Sequence, residues 1–166
     1  MRLAFRAELL VLLPSLRGFA RFLARDPSMA DDLVQETVLR ALDRMAQYEA
    51  GSSLKAWCFT ILRNLFLEQR RRGKKEREVL AHYGQQPPQR VDSPADGREE
   101  VRELEVLLWQ LTPLLREALV LIGAQGMTYA EAARICEVDV GTIKARVSRA
   151  RTMLHALAQQ QAEQGG

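Results

Sequence analysis

Apolar residues recur three and four positions apart along most of the chain, and strand-like alternation is absent. The pattern predicts an all-α protein. Leu9, Leu12, Leu13, Leu16, Phe19, Ala20 and Leu23 form a first stripe, and Pro14 inside it predicts a kink or a restart. Asp26-Pro27 reads as a helix cap followed by a first-turn proline. The second helix turns Ala30, Leu33, Val34, Thr37, Val38, Ala41, Leu42 and Met45 inward and shows Asp32, Gln35, Glu36 and Arg40 to solvent. A loop from Gln47 to Ser53 contains Gly51. The third helix starts near Ser52 or Ser53, buries Leu54, Trp57, Cys58, Ile61, Leu62 and Leu65, and ends in Arg70, Arg71 and Arg72.

The pattern breaks at residues 84–98, GQQPPQRVDSPADGR, where three prolines, two glycines and few large apolar residues leave little to bury. Two small helical domains are expected, residues 3–80 and 97–160, joined by a flexible linker over 81–96. Domains of that size are marginal alone and invite a partner. Past the linker, Asp96 and Glu99 can cap a helix running to Leu111. Thr112-Pro113 restarts a helix that ends near Gly123 or Gly126, and the polar tail AQQQAEQGG frays.

The stretch Gly126–Arg151 predicts a helix-turn-helix. Thr128 with Glu131 three residues on is a capping-box pattern. Ala130, Ala133 and Ile135 suit close packing. Cys136 to Asp139 form a short turn, with Asp139 placed to cap the next helix. Ile143, Val147, Ala150 and Leu154 make that helix's buried stripe. At 100° per residue the opposite face presents Gly141, Ala145, Ser148, Arg149 and Thr152, with Lys144 and Arg151 on one flank and Arg146 on the other. A major-groove reader wants this arrangement, with base-edge contacts in its first half and cations around it.

Charge distribution adds to the picture. The 166 residues carry a net charge of +3. Residues 1–72 hold twelve Lys/Arg against eight Asp/Glu, whereas residues 99–137 hold three against seven. Two basic faces separated by an acidic segment fit two DNA contacts. The two cysteines, Cys58 and Cys136, lack CxxC spacing, and His82 and His155 are the only histidines. The cysteines therefore read as small buried hydrophobes, and no metal or other cofactor is expected. The apolar run Leu9–Leu13 is too short to span a membrane and lacks a signal-peptide layout, so a cytoplasmic location is expected. No carboxylate cluster or nucleophile–base pair suggests an enzyme.

These motifs, in this order, resemble a bacterial sigma factor of the extracytoplasmic-function group. DDLVQETVLRAL (31–42) is similar to the helix with which such factors hold the β′ coiled coil of RNA polymerase. LKAWCFTILRNLFLEQRRR (54–72) is similar to the helix that melts and reads the −10 element, and the C-terminal segment to the domain that reads the −35 element. LPSLRGFARFL (13–23) and residues 116–151 resemble the general-stress sigma factors of alphaproteobacteria. That subfamily is held by a small cytoplasmic anti-sigma protein and released when a phosphorylated response regulator with a sigma-like domain takes the anti-sigma away.

The resemblance implies roles. Asp32, Gln35, Glu36 and Arg40 would meet the polymerase β′ subunit. Tyr48 and the loop Glu49–Ser53 would flank a pocket for a flipped −10 base, with Asn64 as the pocket residue on the helix. Lys55, Arg63, Arg70, Arg71 and Arg72 would contact phosphates, while Trp57 belongs to the core. In the −35 reader, Lys144, Ala145, Ser148 and Arg149 match groove-facing positions, and Thr142 and Arg146 suit phosphate or packing contacts. A guanine paired by Arg149 or Lys144 is worth about 1–3 kcal/mol against a wrong base. The implied partners are core polymerase (β′ and β), promoter DNA and an anti-sigma factor, with the free chain monomeric. The competing expectation is a stand-alone helix-turn-helix regulator, dimeric on a palindrome.

Overall fold

The computed structural model describes residues 2–80 and 99–165, the side chains of 75–80 excepted. The described elements are all helical, and the chain divides into two compact units, 1–92 and 93–166. The linker expected at 81–96, the Asp96 cap and His82 lie outside the described residues.

The first unit packs three helices against one another: α1 (Arg2–Leu23), α2 (Pro27–Asp43) and α3 (Leu54–Leu80). A single 3₁₀ turn (Met45–Gln47) follows α2. Helix α1 runs unbroken through Pro14. That proline lies on the solvent face, where the carbonyl of Leu10 that it leaves without a helical donor can bond water. Asp26 accepts the Ser28 N–H at 2.9 Å, and Pro27 occupies the first turn, so α2 starts as the sequence predicts. The core centres on Phe19 of α1 and Phe59 of α3, stacked with ring centroids 4.6 Å apart and planes 2° from parallel. Leu16, Leu33 and Leu62 close around them with no exposure. Cys58 is equally enclosed, and burial pushes its thiol up to about 12, so it stays neutral and apolar. Thr37 is a polar member of this core, and its hydroxyl donates to the Leu33 carbonyl at 2.6 Å.

The second unit contains α4 (Glu99–Gln110), α5 (Pro113–Leu119), a π turn (Val120–Ala124), α6 (Tyr129–Cys136) and α7 (Val140–Gln164). The π turn is closed by the Gln125 N–H on the Val120 carbonyl at 2.9 Å. Gly126 then takes φ +66°, which turns the chain so that Met127 can donate to Leu121 at 3.0 Å. Helix α7 crosses α5 and α6 through Ile143, Val147 and Ala150, all buried. Two charged residues are buried as well. Arg116 donates to the Leu111 carbonyl at 3.0 Å and lays its guanidinium 3.9 Å from the centre of the Trp109 ring. Glu117 accepts from the Cys136 thiol at 2.8 Å, which ties α5 to the end of α6.

Phe59→Ala empties half of the stacked pair and is expected to cost the first unit about 3–5 kcal/mol, read from urea unfolding of the full chain.

Candidate nucleic-acid interface

The helix-turn-helix is built as its residues direct. Thr128 accepts the Glu131 N–H at 3.0 Å, and the Glu131 carboxylate accepts the Thr128 N–H at 2.9 Å, so both halves of the capping box form. At the other end of α6, Val138 N–H reaches the Ala133 carbonyl at 3.0 Å and Glu137 N–H reaches Arg134 at 3.3 Å. This is a Schellman closure, and it places Glu137 in the left-handed region at φ +56°. Asp139 stands at the N-cap of α7, but its carboxylate makes no capping hydrogen bond; only its carbonyl accepts, from Ile143 at 3.2 Å. Within α6 the buried small residues are Ala132 and Ala133. Ala130, expected to pack, is exposed because it falls one position off the stripe that faces α5 and α7.

On α7 the face opposite the core presents Gly141, Ala145, Ser148, Arg149 and Thr152 to solvent. Lys144 and Arg151 are also exposed, and Thr142 and Arg146 are half-buried. Leu154, expected in the buried stripe, is half-buried because the packing partners thin out toward the end of the helix. Lys144 leans over the ring of Tyr129, Nζ 5.5 Å from the centroid. Tyr129 was not among the residues singled out from the sequence. Its position, directly after the cap and one turn from the buried alanines, is the signal that places it beside α7.

In the first unit, Tyr48 is half-buried, and its hydroxyl donates to the Ser52 carbonyl at 2.6 Å. Ser52 in turn donates to the Glu49 carbonyl at 2.6 Å, and the Ser53 hydroxyl accepts the Ala56 N–H at 3.1 Å as the cap of α3. Gly51 turns at φ +90°, a conformation open to glycine at little cost. The loop Glu49–Ser53 thus has a defined shape set by its own hydroxyls. Trp57, Asn64 and Arg71 follow at seven-residue intervals and share one line along α3. Asn64 and Arg71 are exposed. Trp57, expected in the core, is half-buried, and its ring packs against Tyr48 (centroids 5.4 Å apart) and Phe5 (6.2 Å).

Arg63, expected on phosphates, is 7% exposed instead. It falls one position off the Asn64 line, toward the side of α3 that buries Phe59 and Phe66. Lys55 is half-buried with its ammonium 5.7 Å from the Phe59 ring centre, and Arg70 is exposed above Phe66 at the same distance. Arg72 is exposed. On α2, Asp32, Gln35 and Glu36 face solvent, while Arg40 is half-buried and pairs with Glu68 of α3 at 3.7 Å. Leu39 is 61% exposed within this polar face. It lies off the inward stripe of α2, so its exposure was legible in the periodicity. Among the described residues no cluster of His, Cys, Asp and Glu is placed to hold a metal ion, and no helix is long and apolar enough to cross a membrane.

Comparison with known proteins identifies this arrangement. The pattern of sigma-70 region 2 matches residues 11–76, and that of sigma-70 region 4 matches residues 102–154. The chain is 46% identical over 155 residues to the ECF RNA polymerase sigma factor EcfG of Rhodopseudomonas palustris, covering 93% of this chain and 84% of that protein. It is 37% identical over 140 residues to the ECF sigma factor SigC of Mycobacterium tuberculosis, covering 82% and 75%. The chain belongs to the extracytoplasmic-function group of sigma-70-family sigma factors. Such a sigma factor is a transcription-initiation factor and not an enzyme, and the stand-alone dimeric helix-turn-helix regulator drops out. The sigma factor RpoE of Bartonella quintana, solved in complex with the anti-sigma factor NepR, matches this sigma factor with a TM-score of 0.82 at 44% identity, over 94% of this chain and 97% of that one. Region 2 takes in most of α1, all of α2 and the Tyr48–Ser53 loop, and much of α3. Region 4 takes in the helix-turn-helix.

Glu137→Gly removes the left-handed strain of a side chain at the Schellman position. It is expected to stabilise the region 4 unit by about 1 kcal/mol, seen as a higher denaturant midpoint at unchanged m-value.

Proposed function

We propose that this sigma factor directs core RNA polymerase to general-stress promoters, with each exposed face serving one contact. The observation that carries the reading is the solvent face of α7, where Lys144, Ala145, Ser148 and Arg149 stand clear on a helix held by a complete capping box and a Schellman turn. A face so fixed enters a −35 major groove without reorganising. Arg149 is the primary base reader. Lys144, held toward Tyr129 at the start of α6, acts on the phosphate side, with Thr142 and Arg146 beside it.

The −10 element is read by the first unit. Tyr48 and its loop form one wall and Asn64 the other, with an amide that can both donate to and accept from a base edge. Arg70, Arg71 and Arg72 extend from the helix as phosphate contacts, and Lys55 lies nearer the loop. Arg63 serves α3 packing in this reading. Asp32, Gln35, Glu36 and Arg40 meet the polymerase β′ subunit, and Leu39 adds an apolar anchor at the centre of that face. The β subunit is the further core contact.

The protein acts in the cytoplasm, as a monomer when free of polymerase. Exposed apolar edges in both units, Leu3, Leu10 and Val11 on α1 and Val101 and Leu104 on α4, suit a small anti-sigma protein that covers apolar surface and occludes the DNA-reading faces. The likeness to a sigma factor solved with NepR supports this regulation.

Run-off transcription with core polymerase, on a template carrying the GGAA-like −35 and GTT-like −10 elements that the resemblance to general-stress sigma factors implies, tests the reading. A transcript that depends on this protein is the expected result. In promoter-binding assays with holoenzyme, Arg149→Ala is expected to lose about 1–3 kcal/mol of discrimination at one −35 position. Arg71→Ala is expected to weaken binding evenly across sequences and to flatten the salt dependence by about one unit of slope. An Arg149→Ala protein with full −35 discrimination overturns its role as a base reader.

A further inference from the structure

We propose that Phe5 is a positioning residue for the −10 pocket, acting through the ring of Tyr48. The proposal rests on the reading of Tyr48, its loop and Asn64 as that pocket. The match to sigma-70 region 2 begins at residue 11, so the first turns of α1, Arg2–Leu10, lie outside the family pattern. Those turns bury two residues, Phe5 and Leu9, and leave Leu3 and Leu10 in solvent.

Phe5 is 7% exposed. Its ring centroid lies 5.6 Å from that of Tyr48, tilted 59°, and 6.2 Å from that of Trp57, edge-on at 75°. Tyr48 and Trp57 are themselves 5.4 Å apart, so the three rings close a triangle. This triangle is separate from the stacked Phe19–Phe59 pair of the core, and two of its rings keep part of their surface in water.

The triangle connects to the pocket on both sides. The Tyr48 hydroxyl donates to the Ser52 carbonyl, which fixes the far end of the loop. Trp57 lies on the same line of α3 as Asn64, two turns earlier. A loop that receives an unstacked base binds it best when its shape exists beforehand, because ordering it on binding subtracts from affinity. Phe5 supplies the surface against which the Tyr48 ring is seated, and so sets where the Ser52 end of the loop sits. It has no contact with DNA in this role.

The test uses holoenzyme assembled from core polymerase and the full chain. The probe is a single-stranded DNA carrying a GTT-like −10 element with 2-aminopurine beside the flipped base, against a scrambled strand. Phe5→Leu keeps apolar volume and removes the ring edges. Phe5→Tyr restores a ring. The expected result for Phe5→Leu is about 3- to 10-fold weaker binding of the −10 strand and a smaller 2-aminopurine increase at saturation. Its core polymerase affinity, −35 duplex binding and far-ultraviolet dichroism should stay at wild-type values, and Phe5→Tyr should recover strand binding. Wild-type strand binding and fluorescence in Phe5→Leu overturns the proposal. Equal losses of −10 and −35 binding, or no recovery in Phe5→Tyr, also overturn it, because they mark a general packing role. Asn64→Ala separates the two layers. If it weakens strand binding while Phe5→Leu does not, Phe5 is wrong and the pocket stands. If Asn64→Ala binds as wild type, the pocket reading fails and the proposal with it.

Discussion

The stacked Phe19–Phe59 pair is the contact on which the first unit depends. It joins α1 to α3 at the centre of a core in which Leu16, Leu33 and Leu62 have no exposure, and it thereby fixes the rotation of α3 about its own axis. Once that rotation is set, everything else on α3 follows at 100° per residue. Asn64 and Arg71 turn outward, Trp57 comes to the edge beside Tyr48, and Arg63 turns into the protein. A rotation of a single residue would exchange Asn64 with Arg63 and bury the amide in place of the guanidinium.

The second unit solves the equivalent problem with backbone closures. A short helix such as α6 has too few apolar residues to orient itself by burial alone. Its ends are fixed by the reciprocal Thr128–Glu131 bonds and by the Schellman turn through Glu137. Its far end is also held from below, where Cys136 donates to the buried carboxylate of Glu117. Arg116, stacked on Trp109 and bonded to the Leu111 carbonyl, secures the corner between α4 and α5 in the same way. Charged residues therefore serve two ends in this unit. The buried pair, Arg116 and Glu117, hold corners, and the cations of α7 keep a solvated face.

Both units use the same division of labour. One stripe of each helix is given to the core, and the remaining faces are available for contacts. On α2 the available face carries Asp32, Gln35, Glu36 and the exposed Leu39. On α7 it carries Ala145, Ser148 and Arg149. On α1 and α4 it carries uncovered apolar residues. The contacts proposed with polymerase, two DNA elements and an inhibitor call for several such faces, and small helical units offer many for their size.

The sequence by itself determined the helices, the caps at Asp26 and Thr128, and the outward face of α7. These depend on local hydrogen bonding and on a periodicity of 3.6 residues, both of which are written in neighbouring positions. It also carried the resemblance that the comparisons establish. Tertiary structure decided the rest. The burial of Arg63, the pairing of Arg40 with Glu68 across α2 and α3, and the seating of Lys144 on Tyr129 each depend on a residue from another helix. The ring triangle joins positions 5, 48 and 57. No local pattern links residues so far apart in the chain, because only the packing of α1 on α3 brings them within van der Waals reach.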